Sequence, residues 1–197
     1  MRILLIGATG TIGRAVADAL GARHELVLAS RSRAHERVDL ADPASIRALY
    51  ARVGRVDAVV SAAGEAKFAP LAALSDADFA FSLSSKLMGQ VNVVRFGADS
   101  VADGGSFTLT SGVLARQPSP GSAAISLVNA GVEGFAGAAA LEVPRGIRVN
   151  VVSPPWVSET LVAMGMDPSG GLPAADVARS YVQAVEGRQT GQVLSPT

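Results

Sequence analysis

Short apolar runs recur along the chain with amphipathic stretches between them. The runs are Ile3–Ile6, Leu26–Ala29, Ala58–Val60 and Ile147–Val152, with Phe107–Thr110 a weaker fifth. Runs so short and so continuous predict strands buried on both faces, because a sheet with one wet face would alternate apolar and polar positions instead. The stretches between them predict helices over Thr11–Leu20, Pro43–Val53, Ser75–Ala98, Gly121–Glu142 and Pro173–Gly187, and a short strand Gln192–Leu194 finishes the sheet. Strand then helix, repeated, implies βαβ crossovers and an open, doubly wound parallel α/β sheet flanked by helices.

Several boundaries carry their own signals. Asp42 precedes a proline at the first helical position, and Asp76 and Asp78 follow Ser75 where a helix dipole favours carboxylates. Gly104-Gly105, Pro118-Ser119-Pro120-Gly121 and Pro154-Pro155 punctuate places where helix and strand must be joined. At 197 residues the chain suffices for one such domain, residues 1–197, and is too short for two with separate cores.

Composition narrows the chemistry. Lys+Arg 17 against Asp+Glu 17 gives no net charge, so neither nucleic acid nor an anionic membrane is expected as a partner. With no cysteine, and His24 and His35 as the imidazoles, thiolate chemistry, disulfides and a metal site are not expected. Hydrophobic residues reach 49%, yet no window approaches eighteen uninterrupted apolar positions, and the apolar run after Arg2 is too short for the core of a secretory signal. A cytoplasmic protein is expected, with chemistry drawn from hydroxyls, charged side chains or an organic cofactor.

The segment Ile6-Gly7-Ala8-Thr9-Gly10-Thr11-Ile12-Gly13 places glycines three apart, directly after a strand and directly before a helix. Gly7 lets the chain turn off the strand, Gly10 lets backbone approach a pyrophosphate, and Gly13 lets helix pack on sheet, while the helix amino terminus faces the phosphates. In this strand-loop-helix context the pattern reads as the dinucleotide site of a Rossmann-type sheet, although a tight turn alone would also explain each glycine. The second strand ends in Ser30-Arg31-Ser32-Arg33, where an NAD enzyme carries a carboxylate for the adenosine ribose. A guanidinium flanked by hydroxyls suits a 2′-phosphate, so NADP(H) is expected over NAD; the alternative is a solvated arginine loop.

These residues resemble the short-chain dehydrogenase/reductase family over nearly the whole chain. Asp39-Leu40 is similar to the family's acidic-apolar pair beside the adenine, and Ser61-Ala62-Ala63-Gly64 to its Asn-Ala-Gly turn, with Ala62 where asparagine is usual. Thr110-Ser111 ends a strand as the family's catalytic serine does. The stretches Asn129–Phe135 and Pro144–Pro154 resemble the helix, strand and proline loop that close over the nicotinamide. The resemblance implies cofactor contacts from Gly7, Thr9, Gly10, Thr11, Ile12, Gly13, Ser30, Arg31, Ser32, Asp39, Leu40, Ala62, Ala63, Gly64, Thr110, Asn129, Pro154, Val157 and Thr160.

The register also exposes departures. The family's Tyr-x-x-x-Lys falls on Ile125-Ser126-Leu127-Val128-Asn129, so both catalytic residues are replaced, and Tyr50 and Tyr181 fall on other predicted helices. Isoleucine cannot pass a proton to a substrate oxygen, nor asparagine lower a neighbour's pKa as an ammonium does. Ser111 is retained and is either a hydrogen-bond donor to a carbonyl or a structural strand-end serine. Lys86 stands where the family has an active-site asparagine, and its ammonium either points into the cleft as a proton donor or anion anchor, or lies exposed on a helix. Pro155 replaces a glycine, and Thr160 comes one residue late for the phosphate-contacting threonine. The span from Arg31 to Asp39 is too short for the usual second helix, and Thr160–Pro173 leaves little for a substrate lid. Trp156 and Met164-Gly165-Met166 either line a pocket or pack in loops.

The expectation is therefore an NADP(H)-dependent oxidoreductase acting on a small-molecule carbonyl or alcohol through a non-standard proton relay built on Ser111 and Lys86. The alternative is a catalytically inactive NADP(H)-binding sensor or partner-binding protein on the same fold. Small residues along Gly121–Glu142 serve either close packing on the sheet or a homo-oligomer contact.

Overall fold

The computed structural model describes residues 1–197. Seven strands run β1 (Arg2–Ile6), β2 (Glu25–Ser30), β3 (Glu36–Arg37), β4 (Val56–Ser61), β5 (Val101–Thr110), β6 (Arg148–Val152) and β7 (Val193–Leu194). They pair in parallel in the order β3-β2-β1-β4-β5-β6-β7. The helices are α1 (Thr11–Gly21), α2 (Pro43–Val53), α3 (Asp76–Ser82), α4 (Gly89–Gly97), α5 (Ala123–Glu142), α6 (Ser158–Ala163) and α7 (Ala174–Glu186).

The continuous apolar run of β1 has a direct structural reason. Its residues alternate between two cores: Ile3 and Leu5 join Val16 and Leu20 of α1 and Val177 and Tyr181 of α7, whereas Leu4 and Ile6 join Ile46 and Leu49 of α2, Val93 of α4 and Val132 of α5. Both faces are dry, so no polar alternation survives. Strand order reverses between β1 and β4, and the crevice at their carboxyl ends is where such a sheet receives ligands.

The helix starts follow their sequence signals. Asp42 accepts from the Ala44 amide at 2.8 Å, and Ser75 and Asp78 form a reciprocal capping box. The middle helix, expected continuous over Ser75–Ala98, is instead broken: α3 and α4 are joined by a π-helical turn, Leu83–Met88. Two serines of this region serve the loop after β4, Ser82 Oγ accepting from the Lys67 amide and Ser85 Oγ from the Glu65 amide. As the short span from Arg31 to Asp39 implies, no helix follows β2; a loop and the short β3 stand there, and Leu28 is left 38% exposed.

α5 is long and apolar enough by composition to cross a membrane. Here it lies along the sheet, with Ala124, Val128, Val132, Ala136 and Ala139 buried.

Candidate active site at the carboxyl end of the sheet

The glycine loop is built as its spacing implies. Gly7 adopts φ +86°, and its amide and that of Ala8 both donate to the Ala29 carbonyl. A Cβ on Gly7 would stand 2.4 Å from the Ala62 carbonyl oxygen, and one on Gly13 would stand 2.0 Å from the Gly7 carbonyl oxygen. Both neighbours are backbone, so neither position accepts a side chain without moving a strand or the helix. Gly10 begins α1 without a side-chain cap, which leaves the first-turn amides at Thr11 and Ile12 available to an anion. Ala62 acts through its backbone, donating to Ile6 and walling Gly7.

Two cavities flank this loop. The first, about 70 Å³, brings together Gly7, Ser30, Arg31, Asp39, Leu40, Ala63 and Gly64, along with Ile6, Val38, Glu65 and Ser85. Ser30 Oγ accepts from the amides of Arg33 and Ala34 and so fixes the turn that presents Arg31. Arg31 Nη2 is 3.0 Å from Glu65 Oε1. The second cavity, about 250 Å³, brings together Ile12, Lys86, Ser111, Asn129, Pro154, Val157 and Thr160, with Val113, Leu114, Ile125 and Trp156 as apolar wall. The β5 end and the proline loop are tied by Ser111 N to Val152 O and Val113 N to Pro154 O.

Three expected cofactor contacts lie elsewhere. Thr110 is buried, its hydroxyl donating to the Ser61 carbonyl at 2.6 Å and accepting from Tyr181 at 2.6 Å. Strand alternation turns Thr110 into the α7 layer, so its side chain is spent inside the core rather than presented to the cleft. Ser32 is exposed on the β2–β3 loop outside both cavities. Thr9 borders a separate groove with Arg33 and Ala34.

Lys86 lies on the π turn and enters the second cavity. Its stem runs under Gly64, Cδ lying 3.1 Å from where a Gly64 Cβ would sit. The residue keeps some surface, its ammonium has no carboxylate partner, and desolvation lowers its pKa to about 8. Asn129, in the family's lysine position, has a buried Oδ1 without a hydrogen-bond partner. Neither tyrosine is near: Tyr50 OH donates to the Val93 carbonyl, Tyr181 is core, and burial raises the pKa of both.

Sequence reasoning assigned no role to Glu133, yet it is the partner of Ser111. Ser111 Oγ donates to Glu133 Oε1 at 2.8 Å, and Arg116 holds the other oxygen at 3.0 Å. Ile125, Asn129 and Glu133 follow at intervals of four on α5, a spacing that puts them on one face and was the available signal. Phe68 meets Trp156, which lines this second cavity, edge-on at 6.1 Å.

A family model described as enoyl-(acyl carrier protein) reductase matches residues 7–189. Among solved structures, the protein lin1944 from Listeria innocua is 44% identical, with TM-score 0.95 over 99% of this chain and 98% of that one. A small-chain dehydrogenase solved in complex with NADPH is 26% identical, with TM-score 0.87 over 99% and 95%. A short chain dehydrogenase/reductase family protein at 24% identity shares the fold, with TM-score 0.90 over 100% and 95%. No curated protein matches. With its sheet order, glycine loop and proline loop in place and the family model spanning residues 7–189, the chain belongs to the short-chain dehydrogenase/reductase family.

Proposed function

We propose that the protein is an NADP(H)-dependent oxidoreductase interconverting a small carbonyl compound and its alcohol, with a proton relay other than the family's tyrosine and lysine. The observation that carries this reading is the convergence of Lys86, Ser111 and Asn129 on one cavity bounded by the start of α1 and the proline loop. The residues fit the cofactor: the backbone cradle at Gly7 and Gly13 has no room for a side chain, and the orphaned Asn129 Oδ1 suits a ribose hydroxyl. Arg31 at the end of β2 and the NADPH complex of the similar small-chain dehydrogenase support the phosphorylated form.

In this reading the amides at the start of α1 hold the pyrophosphate, Ser30 and Arg31 the 2′-phosphate side, and Asp39 and Leu40 the adenine. Gly64 and Ala63 back one ribose and Asn129 accepts from the other, while Pro154, Val157 and Thr160 border the nicotinamide. The bound cofactor supplies or accepts the hydride. Ser111, its hydroxyl turned from Glu133 to the substrate, holds the substrate oxygen, and the Lys86 ammonium gives that oxygen its proton; a pKa near 8 suits a general acid working close to neutrality.

The engagement of the Ser111 hydroxyl with Glu133 favours a second reading, a sensor that binds NADP(H) without turnover. One experiment separates them: titrate the protein with NADPH and NADH by nicotinamide fluorescence, then follow NADPH oxidation over a panel of small aldehydes and ketones. The enzyme loses turnover on Ser111→Ala and Lys86→Met while keeping NADPH affinity; the sensor binds and never turns over. Binding of neither nucleotide overturns both.

We also propose a homo-oligomer contact on the outward face of α5, where Ala123, Leu127, Ala130, Gly134, Ala138 and Leu141 are exposed. Sedimentation of a Gly134→Arg variant tests it, the expected result being dissociation to monomer.

A further inference from the structure

Arg31 and Glu65 meet from opposite sides of the nucleotide crevice. Arg31 follows β2 and Glu65 follows β4, and β1 lies between those strands. The 3.0 Å ion pair therefore bridges the carboxyl end of β1, above Ile6 and Gly7, which line the cavity beneath it. That cavity is about 70 Å³.

Both ends of the bridge are anchored through backbone, so opening is a side-chain movement. Ser30 Oγ fixes the Arg31 turn by accepting from Arg33 N and Ala34 N, and Ser85 Oγ holds the Glu65 amide at 3.1 Å. The side chains themselves are 64% and 57% exposed, so the pair is weak and readily exchanged.

We infer that Glu65 determines how strongly the site prefers a 2′-phosphorylated adenosine nucleotide over its unphosphorylated counterpart, by competing for Arg31. The inference rests on the reading of Arg31 as the 2′-phosphate contact. A phosphate monoester carries nearly two negative charges and three acceptor oxygens, so it takes the guanidinium from a single carboxylate. A free 2′-hydroxyl cannot, and Arg31 then stays with Glu65. With the phosphate in place, Glu65 is also a like charge across the crevice. The carboxylate thus penalises the phosphorylated ligand twice, and removing its charge widens the preference.

The test measures calorimetric Kd values for 2′,5′-ADP and 5′-ADP with the wild-type chain, Glu65→Gln, Arg31→Met and the double variant. Both positions are exposed, so the fold is retained, and melting curves check this. The expected result is a preference for 2′,5′-ADP in the wild type, raised about two- to five-fold by Glu65→Gln as suits a weak exposed pair. Arg31→Met collapses the preference, and adding Glu65→Gln to it changes nothing further, because the coupling runs through Arg31. A wild-type preference that Glu65→Gln leaves unchanged or lowers overturns the role of Glu65 alone. A wild type without preference, or an Arg31→Met variant that keeps it, overturns the Arg31 reading and this inference with it. Binding of neither nucleotide overturns the dinucleotide site itself.

Discussion

The hydroxyl of Ser111 is hydrogen-bonded to Glu133, Oγ to Oε1 at 2.8 Å, and the same carboxylate is clamped by Arg116 from the solvent side. Serine at the end of β5 and glutamate on α5 are thereby locked across 22 residues of chain. A hydrogen bond to a charged group contributes about 1.5–3 kcal/mol, more than a neutral one. A double-mutant cycle of Ser111→Ala and Glu133→Gln, measured by urea unfolding, is expected to return a coupling on the order of 1 kcal/mol. Additive losses would show that the two groups do not act as a pair.

The desolvated ammonium of Lys86 sets a pH dependence with a definite sign. Folding lowers its pKa from 10.5 to about 8, so between those values the unfolded chain binds more protons than the folded one. Stability therefore rises with pH from about 8 to 10.5 through this group, and the penalty is fully present below 8. Its upper bound is about 3 kcal/mol, from roughly 1.4 kcal/mol for each pKa unit. Lys86→Met removes the penalty at neutral pH, so its advantage over the wild type is expected to shrink as the pH approaches 10.5. Denaturant midpoints of both proteins across this range check it; a constant difference would exclude desolvation of the ammonium as the cause.

Glycines of equal appearance in the sequence differ sharply in what they tolerate. A methyl on Gly13 meets the Gly7 carbonyl oxygen at 2.0 Å, whereas one on Gly137 meets nothing within 4 Å. Gly13→Ala is expected to cost about 2 kcal/mol or more and to abolish NADPH binding, because backbone of the glycine loop must move. Gly137→Ala, within α5, is expected to stabilise by about 0.5–1 kcal/mol through helix propensity. Thermal unfolding of the two variants side by side decides the matter.

What the chain discloses in advance divides along physical lines. The glycine loop is local: strand, turn and helix lie within Arg2–Gly21, and the spacing alone implies the backbone contacts that the structure realises. The absence of a helix after β2 is equally local, a matter of chain length between Arg31 and Asp39. Lys86 could be aligned to the cleft, but it lies on a π turn flanked by serines that bind the loop after β4, contacts which no helical periodicity encodes. Glu133 and Glu65 acquire their roles from partners 22 and 34 residues away, Ser111 and Arg31. Such pairings are products of topology, and the sequence supplies only the spacing that permits them.

Thr110 shows how one position of strand register reverses a role. The resemblance puts it beside the cofactor, yet it is Ser111, the next residue, that lines the cavity, while Thr110 points to α7. Its single hydroxyl proton goes to the Ser61 carbonyl, so the Tyr181 hydroxyl must be the donor to Thr110 Oγ1. Tyr181→Phe consequently removes a donor and leaves no buried N–H or O–H unpaired, a loss expected near 1 kcal/mol. Thr110→Val orphans both the Tyr181 hydroxyl and the Ser61 carbonyl, and is expected to cost about 2–3 kcal/mol. Neither substitution should change NADPH affinity, since both side chains belong to the core on the far side of the sheet. Equilibrium unfolding together with a fluorescence titration tests the ordering. A loss of NADPH affinity in Thr110→Val with unaltered stability would return this residue to the binding site.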